Sequence, residues 1–498
     1  MSRVVLDDSI RAPRQRTPRE VPPIVAPASP LLVPAAPGDA GIVSLSEVLS
    51  ALSHALDLTE GLPHGHALRS CAIAMRLAED MGLGTDDQVA LYYAMLLKDA
   101  GCSSNAARMS ALFGSDDRLV KARMKRVDWH DRWALALGTL RNSGVGGGVF
   151  SRLRHFLGIA RAGSVTRELI QIRCERGAGV ARSLGFPEVT AAAIASLDEH
   201  WNGGGYPRGL RGEEIPLLSR IANLAQVVDV FATTQGVEVA LGVAEDRSGR
   251  WFDPALVRLL AAWRADAAWW KRLRAGDPLG MVVKAEPARS PLLVGEAGLD
   301  GIAAAFAAII DAKSPFTFSH STNVATLAEG MAGVMGMPAG ECRLLRRAGL
   351  LHDFGKLGVS SAVLDKPGAL TAEERAEVAR HPLYTWEILS RVSAFRDLAW
   401  TAAVHHEKLD GSGYPWGMRG DQLSLPARIL AVADVYEALI ADRPYRGGLG
   451  RDRALEILRK QAGTQLCARA VGGLEAYLGV GDGARDPRVT IAGPRTPR

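Results

Sequence analysis

The sequence predicts an all-α protein built from two related helical bundles in tandem. Two observations carry this. Apolar residues recur at three- and four-residue steps through most of the chain, while the strict alternation of a half-buried strand is scarce. A glycine-rich segment also occurs twice in closely similar form, which points to an internal duplication.

The elements follow in chain order. Residues 1–40 are rich in proline and arginine, have neither period, and are expected to form a disordered lead. Helical periods occupy 45–56, 67–81 and 90–97 in the first half. In the second half they occupy 302–310, 324–335, 342–351, 371–380 and 428–440. The repeated segment reads Gly205-Tyr206-Pro207-Arg208-Gly209-Leu210-Arg211-Gly212, then Gly413-Tyr414-Pro415-Trp416-Gly417-Met418-Arg419-Gly420. The register stays gapless through Arg220-Ile221 and Arg428-Ile429. Upstream, His66 and Leu96-Leu97-Lys98-Asp99 echo His320 and Leu350-Leu351-His352-Asp353. The first copy is expected over 41–275 and the second over 297–480. A linker at 276–296 joins them, where Pro278, Pro287, Pro291 and Gly295 interrupt the periodicity. Residues 481–498 are expected to be a disordered tail.

A chain of 498 residues with 47% hydrophobic and 23% charged content is typical of a soluble multi-domain protein. The net charge is +5, but the arginines are spread along the chain. That favours a small anionic ligand over a nucleic-acid polymer. Cys71, Cys102, Cys174, Cys342 and Cys467 are odd in number and include no CxxC pair. Neither a disulfide framework nor a zinc–thiolate site is expected. With no long apolar run and no signal-peptide pattern, the expected location is the cytoplasm, without membrane contact.

The chemistry concentrates in the second half. Its five histidines are His320, His352, His381, His405 and His406, and each sits at the start or end of a helical run. Asp353 follows His352 directly, and Asp434 lies inside an apolar helix, where a carboxylate needs a partner or a metal. Imidazole and carboxylate ligands without thiolate suit iron, manganese or zinc. Seven ligands exceed the needs of one ion, so two divalent ions sharing a carboxylate are expected. Such a centre attracts phosphate and supplies a metal-bound hydroxide to attack phosphorus.

Over residues 297–480 the chain resembles the HD-GYP family, a subgroup of the HD metal-dependent phosphohydrolases. The segments that carry the resemblance are His352-Asp353-Phe354-Gly355-Lys356, His381-Pro382 and His405-His406-Glu407-Lys408-Leu409-Asp410-Gly411-Ser412-Gly413-Tyr414-Pro415. Asp434 and Arg443-Pro444-Tyr445-Arg446 complete the set. The resemblance implies tandem HD-type helical bundles and hydrolysis of cyclic di-GMP to pGpG or GMP in bacterial second-messenger signalling. It implies His320, His352, Asp353, His381, His405, His406 and Asp434 as metal ligands, with iron as the first expectation and manganese the second. Lys356 would stand near the scissile phosphate. Arg443 and Arg446 would hold substrate phosphate, and Gly413, Tyr414 and Pro415 would shape the pocket wall. Some members bind a third ion through a glutamate one turn before the first histidine. Here Phe316 stands there, so two ions are expected. Many members carry aspartate three residues after the last ligand, where this chain has Glu437.

The first half keeps His66 and Asp99 but has Lys98 for His352, Arg173 for His381, Leu197 and Asp198 for His405-His406, and Gln226 for Asp434. It is therefore read as a copy without a metal site, serving packing, sensing, homodimer contact or a partner protein, or holding a nucleotide without cutting it. Lys98 and Arg173 would add positive charge to its old cleft. Two other readings of the whole stand beside the leading one. The first is a phosphohydrolase acting on another nucleotide, such as a cyclic GMP-AMP dinucleotide. The second is a nucleotide-binding signalling adaptor with little turnover.

Overall fold

A computed structural model describes residues 43–113, 115–126, 163–287, 292–314, 319–442 and 447–480. Phe316, Arg443 and Arg446 lie outside the described residues, as do the terminal segments expected to be disordered.

The described regular structure is helical apart from one two-stranded ribbon and isolated bridges. The expected periods become the helices Leu45–Glu60, His66–Asp80 and Thr85–Leu97 in the first half. In the second they become Glu296–Asp311, His320–Val334, Ala339–Leu351, Ala372–Val378 and Leu425–Ile440. Thr371 caps the fourth of these through a reciprocal box with Glu374. Among the described residues no helix is long and apolar enough to cross a membrane. All five cysteines are buried and free.

The duplication is structural as well as sequential. The Asn202–Arg211 bridge matches Asp410–Arg419, and the Ser248–Phe252 bridge matches Ala462–Leu466. Val43–Ser44 and Leu293–Val294, which open the two halves, pair antiparallel, with Val43 opposite Val294. Equivalent segments meet this way about a two-fold axis. The contacts between halves are reciprocal too. Helix Leu45–Glu60 packs on the Phe354–Gly358 turn, and helix Glu296–Asp311 packs on the corresponding Cys102–Asn105 turn. One hydrophobic core runs through both halves, from Val43 to Leu474.

The joint is ordered where it is described. Asp277 caps the Pro278–Lys284 helix by accepting from Leu279 N–H at 3.1 Å. Pro278 stands at the first helical position, where its missing N–H has no bond to lose. This proline starts a helix and does not interrupt one.

Candidate metal centre

The second half brings the seven expected ligands together. His320 opens helix His320–Val334, and His352 ends helix Ala339–Leu351. His381 opens helix His381–Leu389, His405 and His406 follow helix Arg396–Ala403, and Asp434 lies within helix Leu425–Ile440. The close approach of these elements depends on Gly355. A Cβ there would fall 1.9 Å from the His381 carbonyl oxygen. The first half repeats the constraint, since a Cβ on Gly101 would fall 1.9 Å from the Arg173 carbonyl oxygen.

The histidine rings are oriented from behind. Nδ1 of His352, His381 and His405 lies 2.7 Å from the carbonyl oxygens of Gly349, Val378 and Ala402 respectively. A carbonyl only accepts, so each Nδ1 carries the hydrogen and each neutral ring turns its Nε2 lone pair inward. His320 Nδ1 is held by the Glu437 carboxylate. Metal-binding imidazoles are normally oriented by such outer partners.

Inside the site, acceptors face acceptors. His381 Nε2 stands 3.3 Å from Asp353 Oδ1 and 3.3 Å from His405 Nε2. His352 Nε2 and Asp353 Oδ1 are buried without a hydrogen-bond partner. Lone pairs crowded this way repel unless a cation lies among them. Asp353 turns its two oxygens to two different sets of rings. Oδ2 faces His320 Nε2 at 3.3 Å and His352 Nε2 at 3.4 Å, while Oδ1 faces His381 and His405. Asp434 also spans both sets, with Oδ1 3.4 Å from His320 Nε2 and Oδ2 3.8 Å from His406 Nδ1. The triads His320/His352/Asp353 and His381/His405/His406 each offer ligand atoms within 4.8 Å of one another. The donors therefore fit two ions bridged by a carboxylate.

The electrostatics agree. Burial acts to lower the pKa of His352, but the Asp353 and Asp434 carboxylates push it up to about 9, so a proton on Nε2 takes the cation's place there when no ion is bound. Burial and the His381 imidazole press His406 down to about 3. One side of the site draws positive charge strongly, and the other keeps its rings neutral. Lys356 Nζ donates to Asp353 Oδ2 at 2.5 Å, which places the ammonium at the edge of the centre.

The Gly413-Tyr414-Pro415 loop closes one side. The Tyr414 ring lies 4.8 Å from the His406 ring, and Tyr414 N–H donates to the His406 carbonyl at 3.3 Å. The loop hangs from Glu407, whose carboxylate accepts from Trp416, Gly417 and Met418 N–H at 2.7, 3.2 and 2.9 Å. Glu199 does the same for Arg208, Gly209 and Leu210 in the first half. Sequence reasoning gave Glu407 no role, although its identity in both copies beside the ligand positions was a usable signal. Asp311 carries no sequence signal for its role. It accepts from Ser321 Oγ at 2.6 Å and so fixes the helix start that presents His320.

In the first half the equivalent site is filled by side-chain cations. Lys98 Nζ contacts Asp99 and lies 3.2 Å from His66 Nε2. Arg173 pairs with Asp198, and Lys125 Nζ lies 2.8 Å from Glu60. His66 Nδ1 is held 2.7 Å from Asp229. Glu60, Asp99 and Cys102 also present ligand atoms within 4.8 Å of one another, but Lys98, Lys121 and Lys125 already balance the two carboxylates. The expected extra charge from Lys98 and Arg173 is thus neutralised within the half. His200 stacks on Trp251 at 3.9 Å.

Comparison with known proteins matches this architecture. The HD domain family profile matches residues 158–256 and 304–469, so it touches both halves. A 3'3'-cGAMP-specific phosphodiesterase of Vibrio cholerae is 43% identical over 435 residues, covering 87% of this chain and 94% of that protein. A cyclic di-GMP phosphodiesterase response regulator of Xanthomonas campestris is 42% identical over 146 residues, covering 29% of this chain and 39% of that protein. The crystal structure of a cyclic GMP-AMP phosphodiesterase of V. cholerae superposes with a TM-score of 0.61 at 39% identity, over 88% of this chain and 98% of that one. The chain belongs to the HD domain family and carries the residue pattern of its HD-GYP branch, with the expected ligand residues in the second of two tandem copies.

Proposed function

We propose that the second half is a metal-dependent phosphodiesterase that opens a cyclic dinucleotide. The observation that carries this is the inward convergence of rings whose Nδ1 atoms are already engaged, around one carboxylate that faces both sets. His320, His352, Asp353, His381, His405, His406 and Asp434 would hold two divalent ions, iron first and manganese second. When bound, such ions offset phosphate charge and lower the pKa of water. The chain's own residues do the rest. Glu437 and the three backbone carbonyls keep the imidazoles in register. Lys356 presents an ammonium beside the centre, suited to a phosphate oxygen or a departing alkoxide. The Gly413–Pro415 loop, anchored by Glu407, walls the pocket, and Arg443 and Arg446 are proposed to grip substrate phosphate.

Two substrates come forward. Likeness along nearly the whole chain, first half included, to a cGAMP-specific enzyme supports 3'3'-cGAMP. Likeness over a shorter stretch to cyclic di-GMP phosphodiesterases supports cyclic di-GMP. Protein purified anaerobically and loaded with iron or manganese, then offered both dinucleotides in parallel, separates them by chromatography of the products. A linear dinucleotide from at least one substrate, absent with Asp353→Ala, is expected. No turnover of either substrate with either metal would reject the reading.

A further inference from the structure

The turn Phe354–Gly358 begins directly after the His352-Asp353 pair and carries Lys356. Its own half holds the turn at Gly355 and Leu357, and holds the His352 carbonyl just before it. Gly355 N–H donates to Thr385 Oγ1 at 2.9 Å, Thr385 Oγ1 donates to the His352 carbonyl at 2.9 Å, and Lys313 Nζ donates to the Leu357 carbonyl at 2.7 Å. The far end of the turn is held by the other half. The Arg118 guanidinium donates to the Gly358 carbonyl, two residues beyond Lys356. Its NH2 also pairs with Glu377 Oε1 at 2.7 Å, and that same oxygen accepts from Ser360 N–H at 3.0 Å. The neighbouring Asp117, fully buried, accepts from Ser361 N–H at 3.0 Å. Asp116 fixes the Arg118 fork from behind, with Oδ2 2.7 Å from NH2 and Oδ1 3.1 Å from Nε. Leu58, also of the first half, lies against Gly358.

From this we infer that Arg118 and Asp117 of the first half are positioning residues for Lys356. The inference rests on the proposed hydrolase reading. Among its described residues the first half lacks the histidine set of the second, yet two of its consecutive side chains bond the backbone at Gly358 and Ser361, on either side of Ser360. A charged fork that bridges a carbonyl and a carboxylate holds geometry better than a single hydrogen bond. The turn therefore reaches its final shape only with the first half docked. Lys356 then meets Asp353, and the substrate beside it, from one direction.

The test is a double-mutant cycle in the full-length, metal-loaded protein, using Arg118→Ala, Lys356→Ala and the pair. Arg118→Ala is expected to lower kcat by roughly ten- to a hundred-fold, the scale of a small misplacement, with KM and metal content near wild type. In the Lys356→Ala background the same change is expected to have no further effect on kcat. Effects that multiply, or a kcat within about twofold of wild type for Arg118→Ala, would overturn the inference. Hydrogen–deuterium exchange over residues 354–361 gives a readout independent of turnover. Faster exchange in Arg118→Ala, with the Arg451–Gln461 helix unchanged, is expected, and unchanged exchange in the turn overturns the inference. If wild type hydrolyses no cyclic dinucleotide, the functional proposal fails and the exchange result still decides the clamp. Arg118→Lys, which keeps the charge but not the fork, carries the same tests if the alanine variant does not fold.

Discussion

Replacing Glu437 tests how the metal centre is built. Its buried carboxylate holds His320 Nδ1 and accepts from Asn323 Nδ2 at 3.3 Å. With the Nδ1 side held, His320 Nε2 points at Asp353 and Asp434. In Glu437→Ala the ring keeps its place in the helix but loses its orienting acceptor, and a buried N–H is left without that partner. Outer-shell losses of this kind lower metal affinity about ten- to a hundred-fold, or roughly 1.4–2.7 kcal/mol. Glu437→Asp is expected to retain most of the affinity. Asp229, the first-half counterpart of Glu437, sits 2.7 Å from His66 Nδ1, so the shorter acid reaches an imidazole from this helical position. An anaerobic chelator-competition titration measures both variants. Wild-type affinity in Glu437→Ala, or an aspartate variant no better than alanine, would show that Glu437 does not orient His320.

Other outcomes follow from the same contacts. Gly355→Ala and Gly101→Ala place a Cβ at the same 1.9 Å clash in the two halves. Both are expected to lose about 1–3 kcal/mol or more in chemical denaturation, but only Gly355→Ala should lose bound metal in elemental analysis. Lys98→Met removes a buried cation paired with Asp99 and is expected to destabilise the fold by about 3–5 kcal/mol, read from denaturant midpoints, with the metal count unchanged. Burial raises the pKa of Glu60, but Lys125 and Lys121 outweigh it and hold the group below its ordinary 4.5. Its stabilising contribution is therefore complete above pH 4.5 and fades as pH falls below that. Glu60→Gln should flatten this acid limb in stability measured across a pH series, while lowering stability at neutral pH.

Much of this molecule is legible in its sequence. The apolar period located the helices because each buries one face against a shared core. The ligand set stood out because the second half has no histidines outside it. What sequence could not supply was reach across the fold. Glu437 read as a departure from the usual aspartate, whereas its carboxylate contacts His320, 117 positions away. Glu407 anchors backbone nine to eleven residues onward, a spacing that matches no local period. The replacement of ligands by Lys98 and Arg173 was visible, but their neutralisation by Asp99 and Asp198 was not. The proline-marked joint read as a linker because proline ends helices, yet after the Asp277 cap it begins one. The grip of Arg118 on the Lys356 turn joins residues 240 positions apart in different halves, and no single-chain pattern announces it.

We propose that the second half holds two divalent ions, with Asp353 turned to both sets of rings, and that the described residues of the first half hold none. Elemental analysis of the anaerobically loaded, full-length protein tests it most directly, with Asp353→Ala measured beside wild type. Wild type is expected to carry two divalent ions per chain, and the variant to lose both. A wild-type count of four, or two ions retained in Asp353→Ala, would contradict it.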